Sequence, residues 1–341
     1  MSARASVSWK AELEAAAVAL LVALAVGSLL IIVDRASPWV VWRALFARSL
    51  GSTYGLGSVL FRATALALLG LAVAVPRAAG LFNIGGEGQM ITGALLCAIV
   101  AAAIPAGTPA LIALPLALAV AAAAGGAIGA ATGALRAYRG AHEVIVGICL
   151  NAVITGVALW VGNRWLFVGE TTRTAEIVPG ARLPGLGLGA SNASASLFLA
   201  LAAVVATSWV LSRTTTGLRW RMVGAGPDAA AASGVDVARA RLTAMTAAGA
   251  LAGLAGAHFV LGYKHAYEEG LGRNQGFLGI AVALLAAGRP AAVGVSALVF
   301  GLLAHGGLEV GSLVPKELVD VLQASVVLVA AATATGWGRR R

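Results

Sequence analysis

Charge is scarce in this sequence: Asp, Glu, Lys and Arg make up 11% of its 341 residues, against 60% hydrophobic. With a mean hydropathy of +0.90, a soluble globular fold is excluded. Cysteine is scarce too. The two present, Cys97 and Cys149, both lie in apolar runs, which argues against a disulfide framework and leaves the redox compartment open. No G-x-x-x-x-G-K-[ST] occurs anywhere, and GAGPDA at 224–229 lacks the Lys-Ser/Thr that would follow a phosphate loop, so the chain cannot hydrolyse ATP by itself. His-Glu-x-x-His is missing, and neither a Ser–His pair nor paired aspartates is evident at membrane depth, which counts against an intramembrane enzyme. The net charge of +10 would point to nucleic acid in a soluble protein; here the arginines sit in short loops between apolar runs, where basic residues set topology, and no nucleic-acid partner is expected.

What the sequence has is long apolar runs. A bilayer core of about 30 Å needs roughly 20 apolar residues per helix. Runs of that kind lie near 13–33, 58–76, 83–104, 109–135, 143–163, 195–212, 239–262, 277–287, 291–307 and 318–336. The expectation is an all-α, polytopic membrane protein of about ten transmembrane helices, one domain over 1–341 with a cytoplasmic loop at 213–241. The first run is too long for a signal peptide, lacks a convincing cleavage site and is followed by more spans, so it reads as a retained helix. The order of span lengths repeats between the first five and the last five, which fits a 5+5 inverted repeat. With the N-terminus inside, Arg4, Lys10, Arg77, Arg136, Arg139, Arg213, Arg219, Arg221, Arg239, Arg241, Arg289 and Arg339–Arg341 fall on the cytoplasmic side. The outer loops collect Asp34, Glu170, Glu176, Glu268, Glu269 and Glu309.

Two of the runs are short. After Gln89 the stretch Met90–Ile104 makes about 22 Å of helix, and Phe277–Ala287 about 16 Å before Gly288, Arg289 and Pro290 interrupt it. The polar LFNIGGEGQ, residues 81–89, must therefore enter the membrane. Short, broken helices at matching places in two halves mark a substrate path. An ionised Glu87 facing lipid would cost about 3 kcal/mol, so it must face protein or water. Asn83, Glu87 and Gln89 either shape the path or hydrogen-bond neighbouring helices at the cytoplasmic end. In HEVIVGICLNAVIT, Glu143, Gly147, Asn151 and Thr155 recur every four residues and share one inward-looking face. Asn151 lies at membrane depth, as path lining or as a helix brace; Glu143 sits nearer the inner surface.

The 30 residues Ser212–Arg241 are too polar to cross lipid. Pro227, Asp228, the alanines 229–232 and Gly234 spell a short cytoplasmic helix with a start and a stop. SPWVVWRALFARSL sets Trp39, Trp42, Phe46 and Leu50 along one side and Arg43 and Arg48 opposite, as in a helix of the outer interface. His258, His265 and Glu269, or His305 and Glu309, are too sparse for a metal site, and no cofactor is expected.

LFNIGGEGQM, HEVIVGICLN, TTTGLRWRMVGAGPDAAAASGVDVARARLTAMTAAGALAGLAGA and GFLGIAVALLAAGRP stand in the order and approximate spacing of permease subunits of ABC importers, the simple-sugar, nucleoside and branched-chain amino-acid superfamily. The chain resembles that family from about Arg62 to its last span. FNIGGEGQ looks most like nucleoside-type members; ribose-type members usually carry a GGIDLSVG-like stretch there. The resemblance implies that the segment Gly217–Val235 is the coupling helix, with Gly217, Arg219, Arg221, Gly224, Asp228, Ala229, Ala230 and Gly234 engaging an ATP-binding subunit. It also implies two ATP-binding subunits or one tandem-cassette ATPase holding ATP and Mg²⁺, a second homologous permease chain, an extracellular substrate-binding lipoprotein, and a multi-pass position in a bacterial cytoplasmic (inner) membrane. The outer stretch YKHAYEEGLGRNQ is the expected contact for the binding protein. A departure occurs at LLAAGRPAAVG, where relatives read LLG-R-N-x-P, which leaves the role of Arg289 open. The expected cargo is a nucleoside or related ribosyl compound, with a simple sugar or branched-chain amino acid as alternative. An ion-coupled transporter with Glu87 and Glu143 as carriers is a further one.

Overall fold

A computed structural model describes residues 21, 22, 24–315, 318, 320, 321, 323–325 and 328. Seven helices within it are long and apolar enough, by length and composition, to cross a membrane: α3 (Thr53–Arg77), α4 (Gly86–Ala103), α5 (Ala110–Arg139), α6 (Glu143–Val161, continued by a π turn to Leu166), α7 (Ser196–Arg213), α10 (Val237–Phe259, continued to Lys264) and α12 (Pro290–Glu309). They match seven of the ten expected runs. The eighth run is the short helix α11 (Gln275–Leu285). The first is described only as α1 (Leu24–Val33), and the tenth lies largely outside the described residues, as do Arg4, Lys10 and Arg339–Arg341. Helix α2 (Pro38–Leu50) follows α1, and α8 (Thr215–Ala225) and α9 (Pro227–Ala232) lie in the polar loop 213–241.

Local sequence fixes the helix ends. Ser52 caps α3 by accepting the Gly55 N–H at 3.0 Å, and Asp236 caps α10 by accepting the Arg239 N–H at 2.9 Å. Gly140 ends α5 in the left-handed conformation that a residue with a side chain adopts at a cost.

Helices α3 and α10 form the centre. Leu66, Leu68, Leu69 and Leu71 of α3 are buried together with Val282 of α11 and Val293 and Phe300 of α12. Helix α10 crosses α5 backbone to backbone: a side-chain carbon added at Gly125 would strike the Gly249 carbonyl, and one at Gly253 would strike Ala121. Between helices already surrounded by lipid-like surface, such close approach supplies the dispersion contact that drives association.

Ion pairs and close packing tie the loops at the two ends. At one end Glu176 pairs with Arg173 and Arg182, at 3.1 and 2.9 Å, and Arg173 forms a β-bridge with Glu268. At the other, Gly288 packs on Arg77, and Glu143 pairs with Arg136 at 3.2 Å.

Helix α2 departs from its expected faces. Its buried side is Val41, Leu45 and Ser49, packed against α12, while Trp39, Phe46 and Leu50 face outward. Trp42 is half-buried and donates its indole N–H to Ser28 Oγ at 2.9 Å, so it belongs to the packed side. Arg48 bonds the Glu309 carbonyl at the end of α12.

Candidate functional site

The turn 78–85 between α3 and α4 is where the polar residues meet. Asn83 donates from Nδ2 to the Ala72 carbonyl (3.1 Å) and to Gln89 Oε1 (2.8 Å). Its Oδ1 accepts the Gly85 N–H and Gln89 Nε2, both at 3.1 Å. Asn151 of α6 reaches the same place, accepting the Gly88 N–H at 2.8 Å and donating to the Ile84 carbonyl at 2.9 Å. The turn and the new helix start leave the Gly85 and Gly88 N–H groups and the Ile84 carbonyl unsatisfied, Pro76 has no N–H to return to the Ala72 carbonyl within α3, and in a low-dielectric interior each group would be costly unpaired. The two asparagines and Gln89 thus supply the hydrogen bonds that let irregular backbone exist there.

Glu87 lies at the same depth and does something different. Its Oε1 accepts the Asn274 N–H and its Oε2 the Gly276 N–H, both at 2.7 Å, so one carboxylate caps the first turn of α11. Gly279 packs on Leu69, eight residues before the end of α3, and Gly288 on Arg77 at that end. Helix α11 therefore runs for only about 16 Å, beside the C-terminal part of α3. The segment 265–274, expected as an outer loop, folds back to meet Glu87; the physical reason is that α11, of 11 residues, is too short to run the length of the 25-residue α3.

Glu143 is held nearer the inner end, by Arg136 and by the Phe82 N–H at 3.4 Å. The stripe of α6 is thus brought together as expected: Glu143, Gly147 and Asn151 are buried against the turn. Thr155, next along it, is exposed on the helix and borders a cavity of about 80 Å³ with Glu87, Ile91, Tyr267, Glu269, Gly270, Leu271 and Arg273. Sequence reasoning missed Tyr267, Glu269 and Arg273 as neighbours of Glu87. The usable signal was the shortness of α11 directly after a polar segment. Tyr267 is buried, which with the nearby Glu269 pushes its phenol up to about 12, so it is a neutral hydroxyl. Glu269 and Arg273 form an ion pair at 2.8 Å.

A Ser–His pair, not evident in the sequence, exists after all. Ser196 Oγ lies 2.6 Å from His258 Nδ1 and 2.7 Å from Ser194 Oγ. The three side chains are buried, and no carboxylate orients the imidazole, whose Nε2 has no hydrogen-bond partner among the described residues. The pair ties the start of α7 to α10; it has the contacts of a brace, with no opening for a substrate.

In the loop 213–241, the short helix expected from Pro227 to Gly234 is α9, with Gly234 at φ 80° after its end. The coupling helix expected over Gly217–Val235 is instead two helices, α8 and α9, parted at Gly226, whose extended backbone and the following Pro227 end one helix and start the next. The eight coupling candidates divide. Gly217 packs on Val210 and Leu211, Gly224 on Ala78 and Gly80, and Ala230 enters the core with Trp220 and Val223. Arg219, Arg221, Asp228, Ala229 and Gly234 are exposed. Trp220 donates to Thr243 Oγ1 at 3.0 Å, and a groove of about 410 Å³ runs beside it, bordered by Thr216, Arg219, Asp236 and Arg239. Gly224 against Ala78 and Gly80 joins this loop to the very turn that carries Asn83.

The family model described as "Branched-chain amino acid transport system / permease component" matches residues 55–331. The chain belongs to this permease family. Among curated proteins the permease is 35% identical to the guanosine ABC transporter permease protein NupP of Bacillus subtilis, over 93% of this chain and 92% of that one. It is 34% identical to the glucose ABC transporter permease protein TsgB13 of Haloferax volcanii, over 90% and 84%, and 29% identical to the nucleoside ABC transporter permease protein NupB of Lactococcus lactis, over 88% and 85%. No solved structure gives a significant match. It is a multi-pass membrane permease, resembling permease subunits of sugar and nucleoside ABC transporters.

Proposed function

We propose that this permease is the transmembrane subunit of an ATP-driven importer in a bacterial cytoplasmic membrane, carrying a nucleoside or related ribosyl compound delivered by an external binding protein. The observation that carries the reading is the link between α8 and the turn 78–85. An exposed cytoplasmic segment bearing Arg219, Arg221, Asp228 and Ala229 is seated, through Gly224, on the backbone that positions Asn83 and Glu87. ATP and Mg²⁺ belong to two separate ATP-binding subunits or one tandem-cassette ATPase. Their movement against α8 and α9 would tilt this turn and switch access to the cavity, and a second permease chain would complete the pathway. The full chain then has ten spans in two inverted sets of five.

FNIGGEGQ and the guanosine and nucleoside relatives support a nucleoside cargo; the glucose relative supports a simple sugar as second reading. Ion coupling is disfavoured because both Glu87 oxygens are engaged by N–H groups and Glu143 is paired with Arg136. The test is ATP-dependent guanosine uptake by proteoliposomes holding the permease with its ATPase and second permease chain. Deleting Pro227–Gly234 is expected to abolish uptake. Uptake that survives the deletion, or uphill transport by the permease alone, would sink the proposal.

A further inference from the structure

The cavity beside Glu87 has the makings of a contact site. Tyr267 is fixed on both sides: its N–H donates to Thr174 Oγ1 at 3.0 Å, its carbonyl accepts the Thr174 N–H at 2.9 Å, and its ring stacks on Phe167 with centroids 6.5 Å apart. Yet its hydroxyl has no hydrogen-bond partner among the described residues, although the side chain borders the cavity. Glu269 is anchored by its own N–H to the Thr172 carbonyl at 2.9 Å, and only its Oε1 is taken by Arg273, leaving Oε2 without a partner among the described residues. Thr155 Oγ1 donates to the Asn151 carbonyl and keeps its acceptor capacity. Ile91 and Leu271 give the same space apolar walls.

We propose that this cavity binds the vicinal hydroxyls of a sugar ring, with Tyr267 and Glu269 as the residues that read them; the inference rests on the importer reading and deepens it. The volume, about 80 Å³, is far below the roughly 300 Å³ that encloses a whole drug-sized ligand, so it takes one edge of a solute. At about 30 Å³ per water-sized group, that edge is two to three such groups, room for two adjacent hydroxyls. A phenol donor and a carboxylate acceptor, both held from behind, complement two adjacent hydroxyls, while the apolar walls suit the C–H bonds between them. Charge points the same way. Glu269 is balanced by Arg273 and Glu87 is engaged by two N–H groups, so an ionic ligand would have to break pairs already formed, whereas a neutral diol would not. A ribosyl group and a hexose share this edge, which would accommodate either kind of relative without any contact to a base.

The test uses the full-length permease in lipid nanodiscs and saturation-transfer NMR with three probes: methyl β-D-ribofuranoside, its 2,3-dideoxy analogue, and leucine. Expected is transfer to the H2 and H3 protons of the riboside, at least threefold weaker for the dideoxy compound. Tyr267→Phe, which keeps the ring and its stacking, and Glu269→Gln, which keeps the shape, should each reduce the riboside signal at least threefold. Equal transfer to the dideoxy compound, indifference to both substitutions, absence of riboside transfer, or a stronger leucine signal would each overturn the assignment. A riboside signal that behaves as expected, with no ATP-driven uptake by the complex, would remove the importer reading and leave the diol site standing.

Discussion

Asn83, Gln89 and Asn151, around the turn beside Glu87, direct their amide groups to the chain itself, whereas Tyr267 and Glu269 keep a hydroxyl and a carboxylate oxygen turned to a cavity that Glu87 also borders. Both clusters are polar and both stand beside irregular backbone. The difference teaches that polarity at membrane depth has two uses. One makes a helix break possible, because an unpaired amide or carbonyl is expensive away from water; the other leaves bonding capacity for a solute. Glu87 divides them, belonging to the first group by its bonds and to the second by its place on the cavity wall.

The largest effect should come from breaking the amide cluster. Asn83→Ala removes four hydrogen bonds, to Ala72, Gly85 and twice to Gln89, and strands the buried Gln89 amide. At about 0.6 kcal/mol per bond within a membrane protein, the expected loss is about 2–3 kcal/mol, read as lowered unfolding resistance in mild detergent. Glu87→Gln should cost less, about 1–2 kcal/mol, since an amide accepts one N–H and opposes the other. Its signature is faster hydrogen exchange at Gly276 and the segment 270–275, with the Asn83 turn unchanged. Tyr267→Phe should be the smallest, within about 0.5 kcal/mol of the wild type in unfolding, because the lost hydroxyl has no partner in the chain. A Tyr267→Phe loss as large as that of Asn83→Ala would erase the distinction between the clusters.

A second contrast concerns apolar helices. Helices α3 and α6 are similarly hydrophobic, yet the most apolar window of α3 is 78% buried in the chain and that of α6 17%. Lipid and protein interior are alike as solvents for Leu, Val and Ala, so hydropathy marks a span without telling which neighbour it has. For the same reason the faces of α2 differed from the aromatic pattern: Val41 and Leu45 fit the surface of α12, and Trp39 and Phe46 suit lipid equally well.

The sequence by itself determined that the chain crosses a membrane, where seven of its spans lie, that residues 81–89 put polar groups at the start of one of them, and which permease family it belongs to. Those properties are written in runs of neighbouring residues and in the order of motifs. Only the tertiary structure decided that Glu87 caps a helix whose first N–H groups lie 187 and 189 positions away, that Ser196 meets His258, and that Gly224 and Ala230 face their own chain. A hydrogen-bond partner is chosen by how helices pack, and where surrounding lipid is as apolar as the packed surface, that choice rests on close shape and polar fit that no single stretch of residues encodes.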